Sequence, residues 1–249
     1  MFWNKIPPNE THTADQLRKD LGVVDLPDTA MLEASVANIL NSGLGFRKSS
    51  DRGACMLGDD RLIPMMSYSL IEYLMGLDLS RFDILELGGG YSTDFWSRQA
   101  KTVLTLEANR EWAQSLRALN LPNVEVRLTA PPQFAADMAN LGRHFDAIII
   151  DPDCNRYSCA KAALKILNPG GFIILDNSDW YPNTTRMLRD ADFIQVDFHD
   201  FRPLRWYRCA TSLFLHSQFR ASPRQGRLPL TPIGGKDISE TNDWDRVTD

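Results

Sequence analysis

The 249-residue chain lacks any apolar run near the ~20 residues that a helix needs to span a bilayer. Its opening residues, Met1-Phe2-Trp3-Asn4-Lys5-Ile6-Pro7-Pro8, lack the long apolar stretch of a signal peptide. A cytoplasmic protein with no membrane partner is expected. It also lacks a basic excess: 27 Lys and Arg stand against 32 Asp and Glu, a formal charge of -5. That balance argues against broad nucleic-acid binding, which needs a basic face to neutralise phosphates. There is no CxxC pair and no His at metal-binding spacing, so Cys55, Cys154, Cys159 and Cys209 suggest neither a zinc site nor a disulfide scaffold. No internal repeat or low-complexity tract occurs. What the chain does have is 43% hydrophobic and 24% charged residues, enough for a sizeable core in one large domain or one domain with an arm.

Residues 1–78 read as a helical arm. Thr13-Ala14-Asp15-Gln16 has capping-box spacing and Gly22 is placed to end the helix that follows. A second helix can start at Asp28, carry Leu32, Val36, Ile39 and Leu40 on one face, and stop at Gly43. Residues 44–63 are polar and glycine-containing and read as a long loop, a lid or entry segment. Pro64–Leu77 reads as a third helix.

From residue 82 the pattern changes. Short apolar runs at Phe82–Leu87, Val103–Leu106, Val124–Leu128, Ala147–Ile150 and Phe172–Leu175 alternate with amphipathic stretches. Wholly apolar runs suit strands of a parallel sheet covered on both faces, so residues 79–216 are expected to form a doubly wound α/β core. Phe193–Phe198 and Ala210–Leu215 read as an antiparallel pair at its edge. Residues 217–249, broken by Pro223, Pro229, Pro232 and Gly234-Gly235, read as an extended or partly disordered tail.

The first strand runs into Glu86-Leu87-Gly88-Gly89-Gly90-Tyr91-Ser92-Thr93. Glycines at a strand-to-helix crossover let the backbone turn sharply and approach a ligand. The spacing is E-x-G-x-G-x-S, with Thr93 where a dinucleotide fold wants its third glycine. Glu86 before the turn repels phosphate and suits an ammonium group, which points away from NAD and toward an amino-acid-bearing nucleoside. Glu107, ending the second strand about 20 residues on, is placed to accept both hydroxyls of a ribose. Asp151 ends the fourth strand at the crevice mouth, where it serves as a turn cap or a site residue. Asp176 and Asn177 end the fifth.

Taken in order, Glu86-Leu87-Gly88-Gly89-Gly90, Glu107, Phe145–Asp151 and Leu167-Asn168-Pro169-Gly170-Gly171 resemble the successive motifs of class I S-adenosylmethionine-dependent methyltransferases, over roughly residues 64–215. The resemblance implies a seven-stranded, Rossmann-like sheet whose last strand is antiparallel, and S-adenosyl-L-methionine as cofactor. It places Gly88 and Gly90 beside the cofactor's amino-acid portion, Glu86 near its ammonium group and Glu107 on its ribose. Ser92 and Thr93 add hydroxyls, Asp151 lies at the same rim, and Tyr68 faces the cofactor from the preceding helix. The usual acid after the third strand is missing, so Leu128-Thr129-Ala130 offers the adenine only backbone and apolar contacts.

The chemistry implied is methyl transfer to a small-molecule acceptor, oxygen rather than nitrogen. Asp151 and His199 are the candidate proton acceptors, and Asn177, Trp180 and Tyr181 the candidate substrate wall. No metal is favoured. The alternative is Mg2+ on Asp151, Asp176 and Asn177, which match the ligand positions of catechol-type enzymes, although the lysine that follows the first ligand there is absent. Arg202, Arg205 and Arg208, interleaved with Trp206 and Tyr207, either hold an acidic or aromatic substrate, join two copies in a homodimer, or form a solvated hairpin. Two other readings stay open: an aminopropyl-type transferase on the same fold, and a non-catalytic S-adenosylmethionine-binding module.

Overall fold

In the computed structural model, residues 28–237 and Ser239 are described. The helix expected between Thr13 and Gly22 lies outside them. The chain divides into two compact units, residues 1–38 and 39–249. In the first, Asp28 Oδ1 accepts from the backbone N–H of Ala30 (2.6 Å) and Met31, and helix α1 (Thr29–Asn38) follows, as the sequence pattern suggests.

The second unit is built on a seven-stranded sheet in the order β3-β2-β1-β4-β5-β7-β6. The strands are β1 (Asp83–Leu87), β2 (Thr102–Glu107), β3 (Val124–Leu128), β4 (Phe145–Ile150), β5 (Leu167–Asp176), β6 (Ile194–Asp200) and β7 (Cys209–Leu215). The first five are parallel; β7 runs antiparallel to both β5 and β6. This is the doubly wound sheet read from the apolar runs, with the seven strands and antiparallel last strand that the resemblance implies.

Side-chain alternation assigns the two faces. Ile84, Val103, Ala147, Ile149, Phe172 and Ile174 enter one core cluster, shared with helices α3 (Tyr68–Gly76) and α4 (Tyr91–Ser97). Their neighbours Leu85, Leu87, Leu104, Leu106, Ile148, Ile150, Ile173 and Leu175 enter the other. That second cluster is closed by α6 (Phe134–Ala139), α7 (Arg156–Ile166) and α8 (Pro182–Asp190). Helix α5 (Arg110–Ala118) is capped by Asn109, whose Oδ1 accepts from Glu111 and Trp112 N–H.

Two readings of the N-terminal part need correction. Residues 44–63 are not a plain loop: helix α2 (Phe46–Arg52) opens the segment, and Met56 and Leu62 form an antiparallel bridge. Cys55, Leu57 and Ile63 are buried in the core, and the Ser49 hydroxyl is tied to the Met56 backbone in both directions. A scatter of apolar residues among polar ones hid that packing. The third helix starts at Tyr68, four residues after Pro64, because Ser67 sits at its cap in extended backbone and donates its hydroxyl to Phe198 O (2.8 Å). Asp200 Oδ2 then accepts from Ser69 N–H.

Residues 217–237 contain no helix or regular strand among those described, but they are tied down. Pro223 bridges Leu77, Arg224 N–H donates to Gly76 O (2.8 Å), and Leu228 and Ile233 pack against the core. All four cysteines are free thiols; Cys154, just before α7, and Cys159 in its first turn have sulfurs 3.6 Å apart. No helix among the described residues is long and apolar enough to cross a membrane.

Candidate active site

The strand order reverses between β1 and β4: the chain leaves β1 toward β2 on one side and enters β4 on the other. Ligand crevices open at the carboxyl ends of strands at such a point. Leu87 O accepts from Asp151 N–H (3.1 Å), so the loops after β1 and β4 meet there. Gly88 has φ +84°, and a Cβ on it would lie 2.6 Å from Asp151 O. Only glycine fits. Gly90 is different: its backbone is extended, and a Cβ would find no heavy atom within 4 Å. The protein leaves open space at Gly90 without needing it for its own packing.

Glu86 follows the parity of Ile84 and therefore points between the sheet and α4. It is fully buried; Oε2 accepts from the hydroxyls of Thr93 (2.6 Å) and Thr105 (2.8 Å), while Oε1 has no partner. Burial pushes its pKa up to about 7, the hydroxyls of Ser92, Thr93 and Thr105 pull against that rise, and the charge of Glu107 adds to it. Thr93 also accepts from Gly90 N–H, so its hydroxyl is spent inside the turn rather than offered to a ligand. Glu107 accepts from Gly89 N–H and Asn109 N–H, each at 2.6 Å, and is 6% exposed. The carboxylate thus shapes the glycine turn as well as lining it. Tyr91, given no role in the sequence reading, donates its hydroxyl to Gly53 O (3.0 Å) and ties the end of α2 to the same rim.

At the ends of β4 and β5 the structure assembles a buried ionic cluster that the sequence did not disclose. Arg156, the first residue of α7, donates to Asp151 Oδ1 (2.8 Å), Asp176 O (2.5 Å) and Pro152 O (3.2 Å), with its guanidinium over the Tyr181 ring. Arg202 donates to Asp176 Oδ2 (2.9 Å), and Thr211 to Asp176 Oδ1 (2.7 Å). Asn177, at φ 51°, turns inward: in the orientation that satisfies its amide it donates to Asp176 Oδ2 and accepts from Arg202. Burial raises the pKa of both Asp151 and Asp176. For Asp151 the charge of Asp176 adds to that rise, and Arg156 and Arg202 oppose it.

This cluster corrects three expectations. The Mg2+ alternative does not fit, because Arg156 and Arg202 already occupy oxygens of Asp151 and Asp176, and no group of three His, Cys, Asp or Glu side chains placed to hold a metal occurs among the described residues. Arg202 is 5% exposed, an internal partner rather than part of a solvated basic loop, whereas Trp206 is 87% exposed. Asn177 belongs to the cluster and offers little to a substrate. The other candidates fall as follows. Asp151 keeps a partly exposed side chain whose Oδ2 has no protein partner among the described residues. Trp180 is exposed beyond β5, and Tyr181 is half-buried beneath Arg156. His199 is exposed on β6 opposite Ala210, two strands from β5. Tyr68 is buried, its hydroxyl has no partner, and burial raises its pKa.

No family model matches the chain, and no curated protein is similar to it in sequence. Among solved structures it resembles precorrin-6y C5,15-methyltransferase from Geobacter metallireducens, at 14% identity over 63% of this chain and 94% of that one, TM-score 0.48. It also resembles an rRNA methylase from Streptococcus thermophilus, at 14% identity over 60% and 93%, TM-score 0.44. A third is the N-methyltransferase NodS from Bradyrhizobium japonicum, at 14% identity over 59% and 91%, TM-score 0.44.

Proposed function

We propose that the chain is an S-adenosyl-L-methionine-dependent methyltransferase acting on a hydroxyl of a small-molecule acceptor. The observation that carries this reading is a conjunction at the switch point. A glycine leaves open space that the fold does not require, and a buried carboxylate oxygen beside it, Glu86 Oε1, has no partner. Such an oxygen costs about 1–3 kcal/mol unmet, and a cationic ligand relieves it. Gly88 and Gly90 would admit the cofactor's amino-acid portion, Glu86 would favour its ammonium group, and Glu107 would receive the ribose hydroxyls. Bound there, the cofactor supplies a methyl group on a sulfonium that leaves by in-line displacement.

A hydroxyl acceptor must give up its proton as it attacks. Asp151 suits that task better than the exposed His199. Its carboxyl is raised toward neutrality, Arg156 holds Oδ1, and Oδ2 is left to take a proton. Arg156, clamped by three acceptors and Tyr181, keeps that carboxylate in one orientation. Trp180 and Tyr181 then form the acceptor wall.

Calorimetric titration with S-adenosylhomocysteine tests the cofactor half; absence of binding by the wild-type protein would sink it. Transfer is read by product mass, where a gained methyl supports the proposal and a gained aminopropyl group rejects it. Cofactor binding without turnover on a broad hydroxyl panel would favour a binding module instead. Within the cofactor half, Glu107→Gln is expected to weaken binding about tenfold, or about 1.4 kcal/mol. It should also lower stability by about 1–2 kcal/mol, because one of the Gly89 and Asn109 N–H groups loses its acceptor. Unchanged affinity would make Glu107 a purely structural residue.

A further inference from the structure

At the far end of α4 from the glycine turn, about 10 Å away by helix rise, lies a half-open cavity of about 160 Å³. Leu57, Ile63, Met75 and Phe95 give it an apolar floor, and the guanidinium-bearing residues Arg61, Arg98 and Arg224 line it from three separate segments. Gln99 lines it too. That residue is only 7% exposed, and neither its amide nitrogen nor its amide oxygen has a partner.

The three arginines differ in their pairing. Arg61 pairs with Asp59 (2.7 Å), and Arg98 pairs with Asp94 and donates to Leu62 O (2.6 Å). Arg224 forms no ion pair among the described residues, and the backbone bond from its N–H to Gly76 O fixes where it is delivered. All three arginines are exposed, and the Arg224 charge acts on Asp78 without an ion pair between them. Burial first, and then the Arg61 charge, hold Arg98 below its ordinary pKa, with Asp59 opposing them. An unmet buried amide donor and acceptor leave a deficit at the same spot.

We infer that this cavity is a binding site, separate from the methyl-transfer crevice, for a small organic anion with an apolar body and a hydrogen-bond donor. A carboxylate or phosphate would pair with Arg224 and accept from the Gln99 N–H group. The donor answers Gln99 Oε1, and the apolar body covers Leu57, Ile63, Met75 and Phe95. A cavity of this size admits one ring or a short chain.

Binding of para-hydroxybenzoate, measured by calorimetry without any cofactor, tests the site independently of methyl transfer. The wild-type protein is expected to bind it at least tenfold more tightly than Arg224→Gln or Gln99→Leu. Benzoate, lacking the donor, should bind more weakly, and para-hydroxybenzyl alcohol, lacking the charge, not at all. Gln99→Leu should also raise the melting temperature of the ligand-free protein, because it removes the unmet amide without emptying the cavity. Equal affinity for wild type and both variants, or no binding of any probe, overturns the inference. Inorganic phosphate binding as tightly as para-hydroxybenzoate overturns the organic-anion assignment.

Discussion

Gly88→Ala is expected to lower stability by about 3 kcal/mol or more, whereas Gly90→Ala should leave it within about 0.5 kcal/mol. The two residues are neighbours in one turn, and sequence alone treats them alike. At Gly88 the methyl group would lie 2.6 Å from the Asp151 carbonyl oxygen, in a left-handed backbone at φ +84°. Neither partner can yield, because both are backbone and the Asp151 N–H is bonded to Leu87 O. At Gly90 the methyl group meets nothing within 4 Å. If the cofactor's amino-acid portion fills that space, Gly90→Ala removes S-adenosylhomocysteine binding by at least tenfold in a protein that melts normally. Chemical denaturation and calorimetry on the same two variants separate these outcomes. A Gly90→Ala protein that binds as well as wild type would move the cofactor elsewhere.

That contrast shows what the sequence discloses and what it does not. The parallel core was legible because Ala147–Ile150 and Phe172–Leu175 are apolar on both faces, a pattern that only a doubly covered strand needs. The glycine turn and the two glutamates were legible because they sit at strand ends in chain order. The ionic cluster was not. Arg202 contacts Asp176 across 26 residues of sequence, and it stands in a loop with the exposed Arg205 and Arg208, which share its residue type and not its environment. Arg156 follows Asp151 by five residues, a spacing that carries no signal until α7 fixes its first turn. The same holds for Asp200 capping α3 from 131 residues away. Periodicity reports which face is buried; it does not report which polar groups meet inside.

Glu86→Gln should stabilise the fold and weaken cofactor binding, and both effects should depend on pH. Folding raises the Glu86 pKa from 4.5 to about 7, chiefly through burial. A carboxyl raised on folding gives its full stability below its unfolded pKa and loses it as pH climbs through the folded value. The charged form at pH 8 therefore costs about 3 kcal/mol, and at pH 4 nothing. The amide removes that penalty while its oxygen still accepts from Thr93 and Thr105. The variant should melt higher than wild type at pH 8 and equal to it near pH 4. An equal gain at every pH would mean that the benefit comes from packing and not from charge. Cofactor affinity should move oppositely. If Glu86 meets the ligand's ammonium group, wild-type affinity rises with pH through about 7, because binding draws the proton off Glu86. The Gln variant, with no charge to develop, should bind at least tenfold more weakly at pH 8 and show no such rise. Stability gained and affinity lost at one pH is the signature of a buried charge kept for a ligand. A core glutamate that merely satisfies Thr93 and Thr105 would yield the first effect without the second.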